Sequence, residues 1–156
     1  LIHDENFGGG MRNNNTLQAI IPGGSSSKVL KAGETFKIGD DELALLDVPY
    51  DFDTLLKIDT MSGSGAIIVI DDTRDIVECL ANLAKFYAHE SCGQCTPCRV
   101  GCEKAVKLMS EAKWNEKLLN ELSQAMTDAS ICGLGQAAAN PLKMVLAHFA
   151  DDIICK

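Results

Sequence analysis

The chain has 156 residues, 46% of them hydrophobic and 23% charged, the balance of a globular protein and not of a disordered one. A net charge of −8 argues against nucleic acid or an anionic lipid surface as the main partner, because both demand a basic face. The longest apolar run, 66–70, has the length of a strand and falls far short of a bilayer span, so no direct membrane insertion is expected.

Residues 1–72 read as β-rich and turn-rich. The chain opens on Leu1 and not on Met, and Leu1–Asn6 lacks the basic start and apolar core of a signal peptide. A piece of a longer polypeptide is expected, with a first element lying before Leu1. Turn punctuation stands at Gly8–Gly10, Asn13–Asn15, Pro22–Ser27 and Gly63–Gly65. Strands are expected at 17–21, 35–38, 43–47 and 66–70, and a short helix at 53–58. Pro22–Ser27 reads as an isolated turn before it reads as an anion cradle. A G-x-G-x-x-G loop opening a helix is absent.

After Asp71 and Asp72 the period becomes helical. Ile76, Leu80, Leu83 and Tyr87 share one face, with Asp72 or Thr73 as the expected cap. Cys79 on this helix reads as core filler, and His89 as a helix-end residue suited to the C-terminal dipole. Next comes Cys92-Gly-Gln-Cys95-Thr-Pro-Cys98, a C-x2-C-x2-C run. Of seven cysteines, four lie within the eleven residues 92–102. An odd number without an export signal is poor material for a disulfide framework, whereas clustering points to metal. Three thiolates on one bend can serve three corners of a [4Fe–4S] cubane. Gly93 is expected where a side chain would collide.

A second helix should open at Thr96-Pro97, with Thr as cap and Pro in its first turn, burying Cys102, Ala105, Val106 and Met109. Arg99 would lie beside an anionic cluster or in a surface ion pair. The third helix shows the stripe Leu118, Leu119, Leu122, Ala125, Met126 and Ala129, while Lys113, Glu116, Lys117 and Glu121 form a solvated face. Cys132 follows in the glycine-rich loop Ser130-Ile-Cys-Gly-Leu-Gly135. The fourth helix opens at Asn140-Pro141 and shows Leu142, Val145, Leu146 and Phe149. Cys155 reads as a free terminal thiol. Four amphipathic helices with short loops predict an antiparallel four-helix bundle over 73–156, and the whole chain an α+β fold.

Two cysteines compete for the fourth corner. Cys102 gives the C-x2-C-x2-C-x3-C spacing of bacterial ferredoxins, but there the last cysteine serves a second cluster and a Pro follows it. Here Glu103 follows and no second triplet exists. Cys132, framed by glycine that allows close backbone approach, is preferred. Zinc sites favour two C-x2-C knuckles, a pattern this sequence lacks. A thioredoxin-like βαβ frame is also missing. A zinc-stabilised interaction module and a cluster-bearing redox regulator are the competing functions, and the acidic charge weighs against DNA binding.

His89-Glu-Ser-Cys-Gly-Gln-Cys-Thr-Pro-Cys-Arg99, Ile131-Cys-Gly-Leu-Gly135 with Pro141 and His148-Phe149, and Ile21-Pro-Gly-Gly-Ser-Ser26 resemble a known family. That family is the flavin- and NADH-binding subunit of respiratory complex I and its relatives. Gly63-Ser-Gly-Ala-Ile-Ile-Val-Ile-Asp71 is similar to its strand leading into the helical part. The resemblance implies a ubiquitin-like β-grasp domain over 1–72, akin to soluble-ligand-binding domains, before the helical cluster domain. It implies one [4Fe–4S] cluster on Cys92, Cys95, Cys98 and Cys132, fed by FMN after hydride transfer from NADH. Electrons would then pass singly toward further clusters and quinone. It also implies iron–sulfur partner subunits and a peripheral place on the cytoplasmic face of the inner membrane, or the matrix side in a mitochondrion. The flavin and NADH sites would precede Leu1, and no residue here is assigned to either. Cys102 departs from the family's usual non-cysteine. Diaphorase subunits of NAD-linked hydrogenases and formate dehydrogenases are the alternative parents.

Overall fold

The computed structural model describes residues 1–111 and 114–150, so the expectations for Lys113 and Cys155 lie outside the described residues. The chain divides into two compact units, Leu1–Arg74 and Asp75–Lys156.

In the first unit, β1 (Leu17–Ile21) lies between β2 (Leu30–Lys31) and β5 (Ile68–Asp71), antiparallel to both. Being central, β1 buries Ala19, Ile20 and Ile21 in succession. A separate hairpin joins β3 (Thr35–Ile38) to β4 (Asp41–Ala44) in the register Thr35↔Ala44 to Ile38↔Asp41. Gly39, at φ +68°, supplies the left-handed turn. The expected strand 43–47 is therefore displaced. The hairpin register ends it at Ala44, and a 3-10 turn over Leu45–Asp47 carries Leu45 into the core. The expected strand 66–70 begins two residues later, at Ile68, and the two-residue β2 is too short to leave a period in the sequence.

The short helix α1 (Phe52–Lys57) is capped by Asp51, whose carboxylate accepts the Thr54 N–H at 2.8 Å. Ile20, Leu30, Leu45, Leu55 and Ile58 form the core of this unit. The Pro22-Gly-Gly turn serves packing. A Cβ on Gly23 would stand 2.3 Å from the Met61 carbonyl oxygen, and one on Gly63 2.2 Å from that of Gly23, so the two loops meet backbone to backbone. Tyr50 donates its hydroxyl to the Pro22 carbonyl at 2.6 Å.

The second unit contains α2 (Ile76–Glu90), α3 (Thr96–Met109), α4 (Glu116–Ala129), α5 (Gly133–Ala137) and α6 (Asn140–His148). The cap of α2 is Asp75, which accepts the Glu78 N–H at 3.0 Å; Asp72 and Thr73 lie too far back in the chain. Cys95 and Ala139, one residue earlier than expected, cap α3 and α6 without side-chain bonds, and Pro97 and Pro141 sit in the first turns. Along α4 the buried set is Leu119, Ser123 and Met126, whereas Ala125 and Ala129 are exposed. The stripe is thus narrower than its composition suggests. Helix α3 packs on α2, α4 and α5, while α6 packs on α2 and α4. Gly101 lets α3 approach α4, since a Cβ there would lie 2.6 Å from Met126 Cγ. Helix α5 has no counterpart among the expected elements. Five residues are too few to show a period.

Among the described residues, no helix is long and apolar enough to cross a membrane.

Candidate metal centre

The first bend hangs between two helix ends. Ser91 closes α2, its N–H bonded to the Tyr87 carbonyl at 3.0 Å, and Cys95 opens α3. Between them Gly93 takes φ +77°. A Cβ there would meet only Arg99 Cδ, at 3.9 Å, so glycine is required by the left-handed backbone and not by the collision the sequence suggested. Arg99 donates its guanidinium proton to the Gly93 carbonyl and clamps the bend shut. The sequence offered Arg99 a place beside an anionic cluster or in a surface ion pair; in the structure its guanidinium is tied to the first bend.

Cys98 lies in the first turn of α3 and is buried, Cys95 is half-buried, and Cys92 is exposed. The second bend follows α4. Ser130 closes that helix through its N–H to the Met126 carbonyl, at 3.2 Å, and Cys132 opens α5. Gln136 reaches back to the Ser130 carbonyl at 3.2 Å. Cys132 is exposed, beside Ile131 at 79% exposure.

Packing brings the two bends together. A Cβ on Gly135 would stand 2.9 Å from Cys98 Cβ and 2.5 Å from Ser130 Oγ, so only glycine lets α5 press this closely on α3. Backbone N–H groups of Ile131 first, then of Cys98, point at the Cys95 sulfur and hold its thiol below the ordinary cysteine range. The bend carrying Cys132 therefore touches both Cys95 and Cys98.

Cys102 is placed differently. It is buried one turn beyond Cys98, with its sulfur 4.0 Å from the Cys98 sulfur, in a core with Tyr87, Met126 and Ala138. Burial first, then the charge of Cys98, pushes its thiol up to about 12, so it keeps its proton and fills space.

The donor set fits a cubane. Thiolates from two bends are available, and backbone N–H groups already face one sulfur. Ser130 Oγ is buried with no partner of hydrogen-bonding geometry, and Gly133 faces open space. Among the described residues, no three His, Cys, Asp or Glu side chains converge on one ion. A cubane does not ask for that, because each thiolate binds its own iron. Neither Ser91 nor Ser130 stands out in the sequence. The available signal was their place just ahead of a cysteine at a helix end.

Comparison with known proteins gives a consistent result. The family described as NADH-ubiquinone oxidoreductase-F iron-sulfur binding region matches residues 78–156, half of the chain. An NADH-quinone oxidoreductase subunit of Rickettsia rickettsii is 40% identical over 157 residues, covering 96% of this chain and 34% of the relative. The mitochondrial NADH-ubiquinone oxidoreductase 51 kDa subunit of Aspergillus niger is 38% identical, covering 93% of this chain and 29% of the relative. The chain thus spans about a third of the length of these curated relatives. Among solved structures, an NAD+-reducing [NiFe]-hydrogenase in the H2-reduced state superposes with a TM-score of 0.68 at 29% identity. That match covers 90% of this chain and 23% of the hydrogenase chain.

Proposed function

The chain belongs to the family of the NADH-ubiquinone oxidoreductase-F iron–sulfur binding region, and from that membership we propose that it is the electron-transfer part of an NADH-oxidising subunit. In this reading Cys92, Cys95, Cys98 and Cys132 hold one [4Fe–4S] cluster. The observation that carries it is the close approach of α5 to α3 at Gly135, which sets the Cys132 bend against Cys98.

When bound, such a cluster supplies reversible one-electron storage. The chain's own residues do the rest. Arg99 and Gly93 fix the first bend, and Gly135 admits the second. Backbone N–H groups of Ile131 and Cys98 favour the thiolate at Cys95, and packed apolar side chains keep water from Cys98.

FMN and NADH belong, in this reading, to the part of the relatives' length that this chain does not span. The partners are further iron–sulfur subunits leading to quinone, and the place is the cytoplasmic face of the inner membrane, or the matrix side in a mitochondrion. A β-grasp for residues 1–72 and a four-helix cluster domain for 73–156 form part of the same proposal. Support for the first is a small sheet accompanied by α1, and for the second the four longer helices α2, α3, α4 and α6.

The likeness to an NAD+-reducing hydrogenase supports a second parent, a diaphorase subunit of an NAD-linked hydrogenase or formate dehydrogenase. The higher identity to the NADH-quinone oxidoreductase subunits favours the first. Loading with ferrous iron and sulfide under nitrogen tests the site. A brown protein with iron and acid-labile sulfide that bleaches on reduction is expected. A colourless protein carrying one zinc would instead mark a zinc-stabilised module.

A further inference from the structure

We propose that Ser91 is a positioning residue that sets the potential of the cluster by donating its hydroxyl proton to the Cys98 sulfur. This assignment rests on the cluster reading above. Ser91 Oγ lies 3.3 Å from Cys98 Sγ. The same oxygen accepts the Gly93 N–H at 3.4 Å, so one lone pair is occupied and the hydroxyl proton is left to point at sulfur. A cysteine bound to iron has no proton and can only accept. The direction of the bond follows. The backbone of Ser91 is fixed by the end of α2, and its side-chain oxygen is tied to the bend by the Gly93 N–H.

Reduction adds one negative charge to the cluster, and hydrogen bonds to its sulfurs stabilise the more negative state. The Ser91 hydroxyl therefore raises the potential. The test uses the full chain loaded with ferrous iron and sulfide without oxygen, with iron content and midpoint potential measured by a redox titration followed in EPR. Ser91→Ala should keep its iron and move the potential negative. Ser91→Thr, which keeps the hydroxyl, should return the wild-type value. An unchanged potential in the alanine variant with full iron overturns this assignment alone. Loss of iron from the alanine variant also overturns it, because the hydroxyl then holds the scaffold. A wild-type chain that takes up no iron overturns the cluster reading along with it.

Discussion

At Cys98 two other cysteines come into question, and they differ in environment. Cys102 shares the helix and the core, with its proton retained; Cys132 sits at a helix start beside open space. Cys132→Ser should lose or degrade the cluster, whereas Cys102→Ser should retain the brown chromophore and full iron content. The reverse pattern in visible absorbance and metal analysis would move the fourth ligand to Cys102. Cys95 offers a pH test. Its thiol is depressed by the N–H groups of Ile131 and Cys98, so its reactive thiolate persists to lower pH than that of a free cysteine. In the cluster-free chain, the pH profile of iodoacetamide labelling at Cys95, read by peptide mass spectrometry, should be centred below the usual value of about 8.5. Labelling at Cys102 should stay negligible across the same range.

Among the elements, α5 decides most about the site although it is only five residues long. Its contribution is to bring the backbone at Gly135 against Cys98 and Ser130. Gly135→Ala should cost about 1–3 kcal/mol, the usual range for overpacking, in thermal denaturation. The same substitution should lower iron occupancy, because the displaced bend carries Cys132 with it. An alanine variant with wild-type stability and iron content would mean that α5 has slack which the 2.9 Å approach to Cys98 denies. The helix caps lie a few residues at most from the polar residues that the sequence offers for them. Cys95 and Ala139 cap their helices without a side-chain bond, whereas Asp75 caps α2 with its own carboxylate.

At the scale of the molecule, each unit has its own buried core, and all the candidate ligands fall in the second. Removing the cluster with a chelator and oxidant should raise hydrogen exchange around both bends, while the central strand at Ala19–Ile21 keeps its protection. Loss of protection in that strand would tie the sheet to the cluster. Much of this organisation was legible in the residues themselves. The change from β to helical period near Asp72, the four longer helices, and the C-x2-C-x2-C run followed by a glycine-framed Cys132 all depend on local spacing, which a chain records directly. The displaced strand at 43–47, the two-residue β2, helix α5, the exposure of Ala125 and Ala129, and the donor Ser91 were not. Each depends on a partner that only the fold supplies: a hairpin register, a central strand, a neighbouring helix, a sulfur across the bend. Sequence alone determined which atoms could bind iron and where the helices run, because ligand chemistry and amphipathic period are properties of neighbours along the chain. Only the tertiary structure decided that Gly135 draws the second bend onto Cys98, because such an approach exists only once α3, α4 and α5 have packed.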